Sequence, residues 1–262
     1  MVLVTDNIPA TDRKAATYLE KIVTNRREYA DHHGYELAIR QLSSTPNEQI
    51  SPKVRGWAKL KLLREVVEAY PDSEWFWFLD QDAVIMDPQI SMTKDILANL
   101  DSQMLRDIPV VPPDSVIRTI KTATPDTVQF VLSQDYSGLN LHSFLLRNGD
   151  WTKYFLETWV EPMYRSYGFE RHEISALEHI IQWHYTILSK TALLPRRLLA
   201  SYNNAADDMA YKDTDFVVVL QGCRDEGRSC EMEFDRFWTL RSRTAEAMSQ
   251  DAIAAQKLGA TV

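Results

Sequence analysis

The chain has 262 residues, of which 45% are hydrophobic and 25% are charged, a balance that is typical of folded globular proteins and excludes extensive disorder. Acidic residues outnumber basic residues by 37 to 29, so the formal net charge is −8. Because the basic residues form only short clusters such as Arg26-Arg27 and Arg196-Arg197, we expect no nucleic-acid partner.

Predicted strands and helices alternate over the first hundred residues. The elements are, in chain order, a strand at Val2–Thr5, a helix from Thr11 or Asp12 to about His33 that stops at Gly34, a strand at Tyr35–Arg40, a helix from about Val54 to Tyr70, a strand at Glu74–Leu79, a short strand at Ala83–Met86 and a helix over about Met92–Leu100. The third strand is apolar almost throughout, as central parallel strands are. This alternation predicts an α/β fold with a mainly parallel sheet.

The second half is less regular, since several prolines mark a long connection before the next strand. The elements predicted there are strands at Val128–Leu132 and Ser143–Arg147, helices at Trp151–Trp159 and Glu173–Tyr185, a strand at Phe216–Leu220 and a helix at Glu231–Ala255.

Two aspartates, Asp80 and Asp82, directly follow the third strand. Ligands of open α/β sheets bind beyond the carboxyl ends of the strands, and residues two apart on extended backbone point to the same side. Carboxylate oxygens suit Mg²⁺ or Mn²⁺, and a metal so placed would neutralise a diphosphate leaving group. The pair therefore predicts a metal and diphosphate site at this edge of the sheet.

The chain has two cysteines, Cys223 and Cys230, in a loop-like segment. Two ligands are too few for a zinc site, and the spacing is not C-x-x-C. The residues alone leave two interpretations open, which are a small disulfide loop and a pair of free thiols.

Several motifs follow one another from about residue 2 to residue 240. They are Asn25-Arg26 with His33-Gly34-Tyr35, Gly56-Trp57-Ala58-Lys59-Leu60, the stretch from Glu74 through Asp80-Gln81-Asp82 to Met86, Gly138-Leu139-Asn140 with Ser143-Phe144-Leu145, Ser175-Ala176-Leu177-Glu178-His179, and the Gly222-Cys223 loop with Cys230. In this order they resemble glycosyltransferase family 34, which holds fungal α-galactosyl- and α-mannosyltransferases and plant xyloglucan xylosyltransferases.

The resemblance implies a GT-A fold, which is Rossmann-like, with a mainly parallel central sheet flanked by helices. It implies one catalytic domain over residues 1–262, with a nucleotide-sugar-binding half at about 1–105, an acceptor-side half at about 106–240 and a C-terminal helical tail at 241–262. A Golgi-lumen enzyme is expected, normally held by an N-terminal membrane anchor not present in this chain. Such an oxidising compartment favours a Cys223–Cys230 disulfide.

The resemblance also implies roles for individual residues. Donor binding is expected of Thr5, Asp6, Asn25, Arg26, Trp57, Lys59 and Gln81. Sugar or acceptor binding is expected of Asp135, Asn140, His142 and Ser143. Metal binding is expected of Asp80 and Asp82, and Glu173 is the third catalytic candidate, placed to steady positive charge on the sugar ring. Plain core packing remains the alternative for Trp57, and a solvated helix position for Lys59.

Three positions depart from the family pattern. Val219 stands where a histidine is the usual third metal ligand, Ile174 where a glutamine is usual, and His142 where a glycine is usual. For His142 we expect a place lining the acceptor cleft, with metal ligation as the alternative, because ligation demands closer placement than substitution normally delivers.

The predicted function is a Mn²⁺-dependent (or Mg²⁺-dependent) retaining hexosyltransferase. It would move galactose from UDP-Gal or mannose from GDP-Man onto a mannose-containing glycan in an α linkage. A non-catalytic subunit of a glycosyltransferase complex is the alternative. A third interpretation is a haloacid-dehalogenase-type phosphatase, because Asp80-Gln81-Asp82-Ala83-Val84 matches its D-x-D-x-[TV] motif with the first Asp as nucleophile. That interpretation ranks lower, since two strand–helix units precede the motif and the later acidic pair, Asp207-Asp208, follows a polar segment.

Overall fold

The computed structural model describes residues 1–7, 12–43, 50–204, 208–224 and 226–241. The strands are β1 (Val2–Thr5), β2 (Ala38–Gln41), β3 (Trp75–Leu79), β4 (Ala83–Ile85), β5 (Phe130–Asp135), β6 (Gly138–Arg147), β7 (Thr191–Leu193), β8 (Ser201–Tyr202) and β9 (Val217–Val219). The α-helices are α1 (Arg13–His33), α2 (Pro52–Ala69), α3 (Leu100–Gln103), α4 (Asp150–Trp159), α5 (Pro162–Ser166), α6 (Glu173–Trp183) and α7 (Tyr185–Leu188), followed by a C-terminal helix at residues 230–241. The predicted tail beyond residue 241, Thr11 and Asp207 lie outside the described residues.

The described strands form two sheets. The larger sheet has the order β2-β1-β3-β6-β5-β7, and the smaller has the order β4-β9-β8. In the larger sheet β1 pairs in parallel with β2 and β3, and β5 pairs in parallel with β7. Strand β6 runs antiparallel to both β3 and β5. Its pairing with β5 follows from the short turn between them, because only antiparallel strands can be joined so tightly. The predicted α/β class with a mostly parallel sheet is confirmed.

The central strand β3 is buried on both faces. Its side chains alternate, so Phe76 and Phe78 belong to one apolar cluster, whereas Trp77 and Leu79 belong to another. Helices α2, α4 and α6 cover the first face, and residues of the smaller sheet cover the second. This double covering is the physical reason for the nearly unbroken apolar run.

Both ends of helix α1 lie at the residues that the sequence predicts, Asp12 and Gly34. The Asp12 carboxylate accepts a hydrogen bond from the Ala15 amide at 3.1 Å and caps α1. At the other end, Gly34 takes the left-handed conformation with φ of 70°, which a residue with a side chain rarely adopts. Helix α2 starts with Pro52 behind the capping residue Ser51.

The prediction misses the short elements α5, α7, β7 and β8, and β2 starts at Ala38 rather than Tyr35. Two further predicted elements differ from the structure. Strand β6 starts at Gly138 rather than Ser143, because its first residues alternate leucines with glycine, asparagine and histidine and so lack the unbroken apolar run of Phe144–Leu146, although three of them pair with β5. The predicted helix at Met92–Leu100 is divided into a π-helical turn over Met92–Ile96, a 3-10 turn over Leu97–Asn99 and then α3. The Asn99 amide donates to the backbone carbonyls of Lys94 and Asp95, which competes with regular helical bonding.

Cys223 and Cys230 form a disulfide, with their Cα atoms 5.2 Å apart. The bond links the end of the β9 region to the start of the C-terminal helix. Cys223 is fully buried in a cluster that contains Tyr18 and Ile22 of α1 and Phe234 of the C-terminal helix. The disulfide thus holds Cys223 and Cys230 close to α1. No described helix is long and apolar enough to cross a membrane.

Replacing both cysteines, Cys223→Ser with Cys230→Ser, is expected to lower the free energy of unfolding by roughly 2.5 kcal/mol, because the unfolded chain loses the constraint of a short loop. Urea unfolding followed by tryptophan fluorescence measures this change. Wild-type protein in a reductant should match the double variant. A double variant as stable as the oxidised wild type would contradict the expectation.

Candidate active site at the end of strand β3

Asp6 and the Asp80-Gln81-Asp82 segment meet at one edge of the large sheet. Strands β1 and β3 are parallel neighbours, so their carboxyl ends lie side by side. The Asp6 amide donates to Gln81 Oε1 at 2.8 Å, and Gln81 Nε2 donates to Asp6 Oδ2 at 3.3 Å. Gln81 thereby ties the two strand ends together, with three carboxylates around it.

Asp80 is paired with two basic side chains. Its Oδ2 accepts a hydrogen bond from Lys59 Nζ at 2.8 Å and lies 3.1 Å from His142 Nδ1, while Oδ1 accepts the Gln81 amide at 2.7 Å. Burial alone would raise the pKa of Asp80, but Lys59 and His142 outweigh it and hold that pKa well below its usual range. Asp80 is therefore a carboxylate at neutral pH.

Asp82 is held by a guanidinium. Arg224 Nη2 donates to Asp82 Oδ1 at 2.8 Å, and Arg224 Nε donates to Asp82 Oδ2, so the pair is bidentate. Tyr18 donates its hydroxyl proton to Asp82 Oδ1 at 2.8 Å. Arg224 Nη1 also donates to Asp6, whose other oxygen pairs with Arg55. Although burial opposes the charge, Asp82 and Asp6 raise the pKa of Arg224.

Asn25 and Arg26 lie beneath this segment and are fully buried. Arg26 Nη2 donates to the carbonyls of Asp80 at 2.9 Å and Ala83 at 2.8 Å. The Asn25 amide bonds both the carbonyl and the amide of Ile85 at 3.0 Å. Burial lowers the pKa of Arg26 to about 9. Both residues were predicted to contact the donor. The structure corrects this, because their polar groups are directed at the backbone of the Asp80–Ile85 segment.

A small cavity of about 80 Å³ adjoins Asp80. Its polar lining consists of Lys59, Asp80, His142 and Glu173, and its apolar lining includes Phe78 and Phe144. Glu173 is the first residue of α6 and reaches the cavity beside Gly56 of α2. Burial raises the pKa of Glu173 to about 7, with Lys59, Asp80 and His142 as its charged neighbours. Four candidates from separate parts of the sequence thus line one cavity, namely Lys59, Asp80, His142 and Glu173.

Asp135 and Asn140 belong to a buried hydrogen-bond chain through Tyr202. The Tyr202 hydroxyl donates to Asp135 Oδ2, and Asn140 Nδ2 donates to the Tyr202 oxygen at 2.7 Å. Asn140 Oδ1 accepts the His142 amide at 2.8 Å. These two predicted acceptor residues therefore orient the backbone at His142, and their own polar atoms are engaged with protein partners.

Three other predicted site residues are also buried. Ser143 is fully buried and accepts a hydrogen bond from the Trp77 indole at 2.9 Å, because it points to the face of β6 opposite to His142. Trp57 packs in the core beneath α2, and Thr5 is 2% exposed at the end of β1. Their burial corrects the expectation that these residues touch donor or acceptor.

Sequence reasoning did not identify Arg224, Arg55, Tyr18 or Tyr202. Arg55 lies four residues before Lys59 and so shares its helix face, which is a usable local signal. Arg224 follows Cys223 directly, but no spacing rule connects it with Asp82, 142 residues earlier. Long-range pairs of this kind are visible only in the folded chain.

The two aspartates do not fit a divalent cation as they are arranged. Both Asp82 oxygens accept bonds from Arg224, and one Asp80 oxygen pairs with Lys59. Among the described residues, three potential ligand side chains come within 4.8 Å of one another only for Asp82 with Cys223 and Cys230. Those sulfurs are joined in a disulfide and cannot act as thiolate ligands. Val219, at the position of the family's third ligand, is an apolar residue buried in β9.

Comparison with known proteins gives a family and close relatives. The profile of the galactosyl transferase GMA12/MNN10 family matches residues 1–231. A Schizosaccharomyces pombe protein named as an uncharacterised alpha-1,2-galactosyltransferase is 36% identical over 234 residues, which are 88% of this chain and 70% of that protein. The probable alpha-1,6-mannosyltransferase MNN10 of Saccharomyces cerevisiae is 32% identical over 235 residues, which are 84% of this chain and 59% of that protein.

One solved structure supports the fold. It is a glycosyltransferase involved in the glycosylation of the major capsid of PBCV-1, with a TM-score of 0.59 and 12% sequence identity, covering 91% of this chain and 98% of that chain. Together with the order of the strands, this likeness shows the GT-A fold.

Gly56→Ala is expected to lower the free energy of unfolding by about 1 kcal/mol, because a Cβ at residue 56 would force the Glu173 carboxyl group to turn away, which outweighs the higher helix propensity of alanine. The loss should disappear when Glu173→Ala is introduced as well, which makes a double-mutant cycle by urea unfolding the measurement. An equal loss in both backgrounds would show that the two residues are not in contact.

Glu173→Gln is expected to change how stability depends on pH. The pKa of Glu173 is raised from 4.5 in the unfolded chain to about 7, so its favourable contribution is present below 4.5 and is lost as the pH rises to about 7. Glutamine cannot ionise and avoids this loss. The variant should therefore gain stability relative to wild type between about pH 5 and about pH 8, measured by urea unfolding. Glu68→Gln, at an exposed position of α2, is the control and should show no such gain.

Proposed function

The chain belongs to the galactosyl transferase GMA12/MNN10 family, glycosyltransferase family 34, and we propose that it is a retaining hexosyltransferase. It moves galactose from UDP-Gal or mannose from GDP-Man onto a mannose-containing glycan and forms an α linkage. The names of its relatives, an alpha-1,2-galactosyltransferase and a probable alpha-1,6-mannosyltransferase, support this choice of sugars. The chain spans 70% and 59% of those two proteins, so substrate and partners belong to the proposal.

The observation that carries the proposal is the cavity beside Asp80. It brings Lys59, His142 and Glu173 to the same edge of the sheet as Asp82 and Arg224. A nucleotide sugar has a dianionic diphosphate next to an uncharged sugar ring. Cationic side chains suit the diphosphate, and a cavity with both polar and aromatic walls suits the sugar.

The proposed reaction exchanges one bond at the anomeric carbon for another. The bond between that carbon and the donor's phosphate oxygen breaks, and a bond to the acceptor hydroxyl oxygen forms on the same face. The hydroxyl proton passes to the departing phosphate oxygen, so no separate base is needed. Positive charge develops on the sugar ring during the exchange, and the Glu173 carboxylate would steady it from the cavity wall.

The Mn²⁺ or Mg²⁺ expected at Asp80 and Asp82 stays a prediction, and no step of the reaction is assigned to it. A bound divalent ion would supply positive charge to the diphosphate. In this chain Lys59 is already paired with Asp80, and Arg224 is paired with Asp82.

A Golgi-lumen location is part of the proposal and is supported by the disulfide. Disulfides persist in oxidising compartments and are rare in the cytosol. The phosphatase interpretation receives less support, because its general acid would be Asp82, and both carboxylate oxygens of that residue are engaged by the Arg224 guanidinium.

Sugar transfer from UDP-Gal and GDP-Man to mannose and short mannosides, followed by mass spectrometry, tests the proposal. One donor should yield an α-linked product. Asp80→Asn should lower the rate by about 100-fold or more, because the fixed charge beside the reacting centre is lost. Loss of the pairs with Lys59 and His142 also lowers the unfolding midpoint, so the rate is measured below that midpoint, on folded protein. Asp101→Asn, which removes an exposed carboxylate paired with Arg106, should leave the rate unchanged.

Absence of product with both donors, from protein that binds neither nucleotide, would favour the non-catalytic subunit of a glycosyltransferase complex. Full activity of Asp80→Asn would remove Asp80 from the site.

A further inference from the structure

Arg224 occupies the side of Asp82 that a ligand cation would use. Its guanidinium bonds both carboxylate oxygens and extends to Asp6, so it bridges the carboxyl ends of β1 and β3. Tyr18 adds a hydrogen bond to the same carboxylate. These bonds use three of the roughly four acceptor positions of the Asp82 carboxylate, so a divalent ion would have to compete with a bidentate ion pair for Asp82.

The charges at this edge balance before any ligand arrives. Three carboxylates, from Asp6, Asp80 and Asp82, form ion pairs with three basic side chains, those of Arg55, Lys59 and Arg224. A divalent ion therefore meets carboxylates that are already neutralised. A diphosphate meets three cations, two on α2 and one on the disulfide loop, that can turn some of their donors toward it.

Arg224 retains the capacity to bind phosphate while it is paired. A guanidinium has five N–H groups, and the bonds to Asp82 and Asp6 use one each from Nε, Nη1 and Nη2. The remaining N–H groups lie on Nη1 and Nη2, and 30% of the side chain is exposed. Planar paired donors of this kind match phosphate oxygens.

The backbone of Arg224 is fixed from the preceding residue. Cys223 is fully buried and is bonded to Cys230, and Gly222 takes a left-handed conformation with φ of 69° that turns the chain toward the site. A cation held in this way is preorganised, which lowers the entropic cost of ligand binding.

Building on the proposed function, we propose that Arg224 takes the part of the divalent cation in this chain. The guanidinium of Arg224, together with Arg55 and Lys59, binds the donor's diphosphate directly, and donor binding needs no metal. The Asp82 carboxylate holds Arg224 in position and is not a metal ligand.

Calorimetric binding of UDP and of GDP, each with EDTA and each with Mn²⁺, tests this assignment. One nucleotide should bind with dissociation constants that agree within about twofold in the two conditions. Arg224→Ala should weaken binding in EDTA about tenfold or more, because charge-assisted hydrogen bonds to phosphate are lost. Arg118→Ala, which removes an exposed guanidinium paired with Asp107, is the matched control and should bind as wild type does.

Electron paramagnetic resonance with Mn²⁺ alone is a second test, because it measures whether the protein binds the ion. Wild-type protein should leave the signal of free Mn²⁺ unchanged, whereas Arg224→Ala should bind the ion at the released Asp82 carboxylate. If Arg224→Ala does not fold, Arg224→Lys replaces it, since lysine keeps the charge and loses the bidentate geometry. The comparison of nucleotide binding by wild type in EDTA and in Mn²⁺ needs no variant and still tests the assignment.

Nucleotide binding by wild type only in the presence of Mn²⁺ would overturn the role of Arg224 and leave the hexosyltransferase intact. Binding of neither nucleotide in either condition would overturn both.

Discussion

The structure depends on how three carboxylates are tolerated at one edge of a sheet that is buried on both faces. Asp6, Asp80 and Asp82 end up there because parallel strands β1 and β3 finish side by side. Close carboxylates repel one another unless positive charge lies between them. The chain supplies that charge from two distant places, with Arg55 and Lys59 on α2 and Arg224 on the disulfide loop. These elements are thus held against the strand ends by electrostatics as well as by their apolar contacts.

A buried layer beneath the carboxylates makes this arrangement rigid. The Asp80–Ile85 segment turns sharply from the large sheet into the small one, which leaves backbone carbonyls without strand partners. Arg26 and Asn25 of α1 satisfy them, and because both side chains are buried, water cannot substitute. The carboxylates therefore stand on a backbone whose position is set by α1. The loss of hydration by the Arg26 guanidinium, which lowers its pKa, is offset by these hydrogen bonds.

The sequence predicts the parts of this arrangement that local patterns encode. Strand β3 and the Asp80 and Asp82 pair follow from a buried apolar run with carboxylates at its end, and the limits of α1 follow from Asp12 and Gly34. The partners of the carboxylates do not follow, because Arg224 and Tyr18 join Asp82 from opposite ends of the chain. The burial of individual side chains is equally hard to predict from local patterns. Three residues that match family motifs support the backbone or the core instead, namely Asn25, Arg26 and Ser143. The motifs identify the region, and only the fold distributes the roles within it.

The choice between a guanidinium and a metal ion at Asp82 has a consequence for the whole loop. A metal ion is shared with the solvent, and its occupancy depends on concentration and on competing chelators. A guanidinium belongs to the chain, and its presence at the site depends on the backbone that carries it. Here that backbone is anchored by the disulfide at Cys223, so the geometry of the cation is coupled to the integrity of that bond. The disulfide then serves the site as well as stability, since it holds Arg224 over the ends of β1 and β3, where an ion would otherwise have to be recruited from solution.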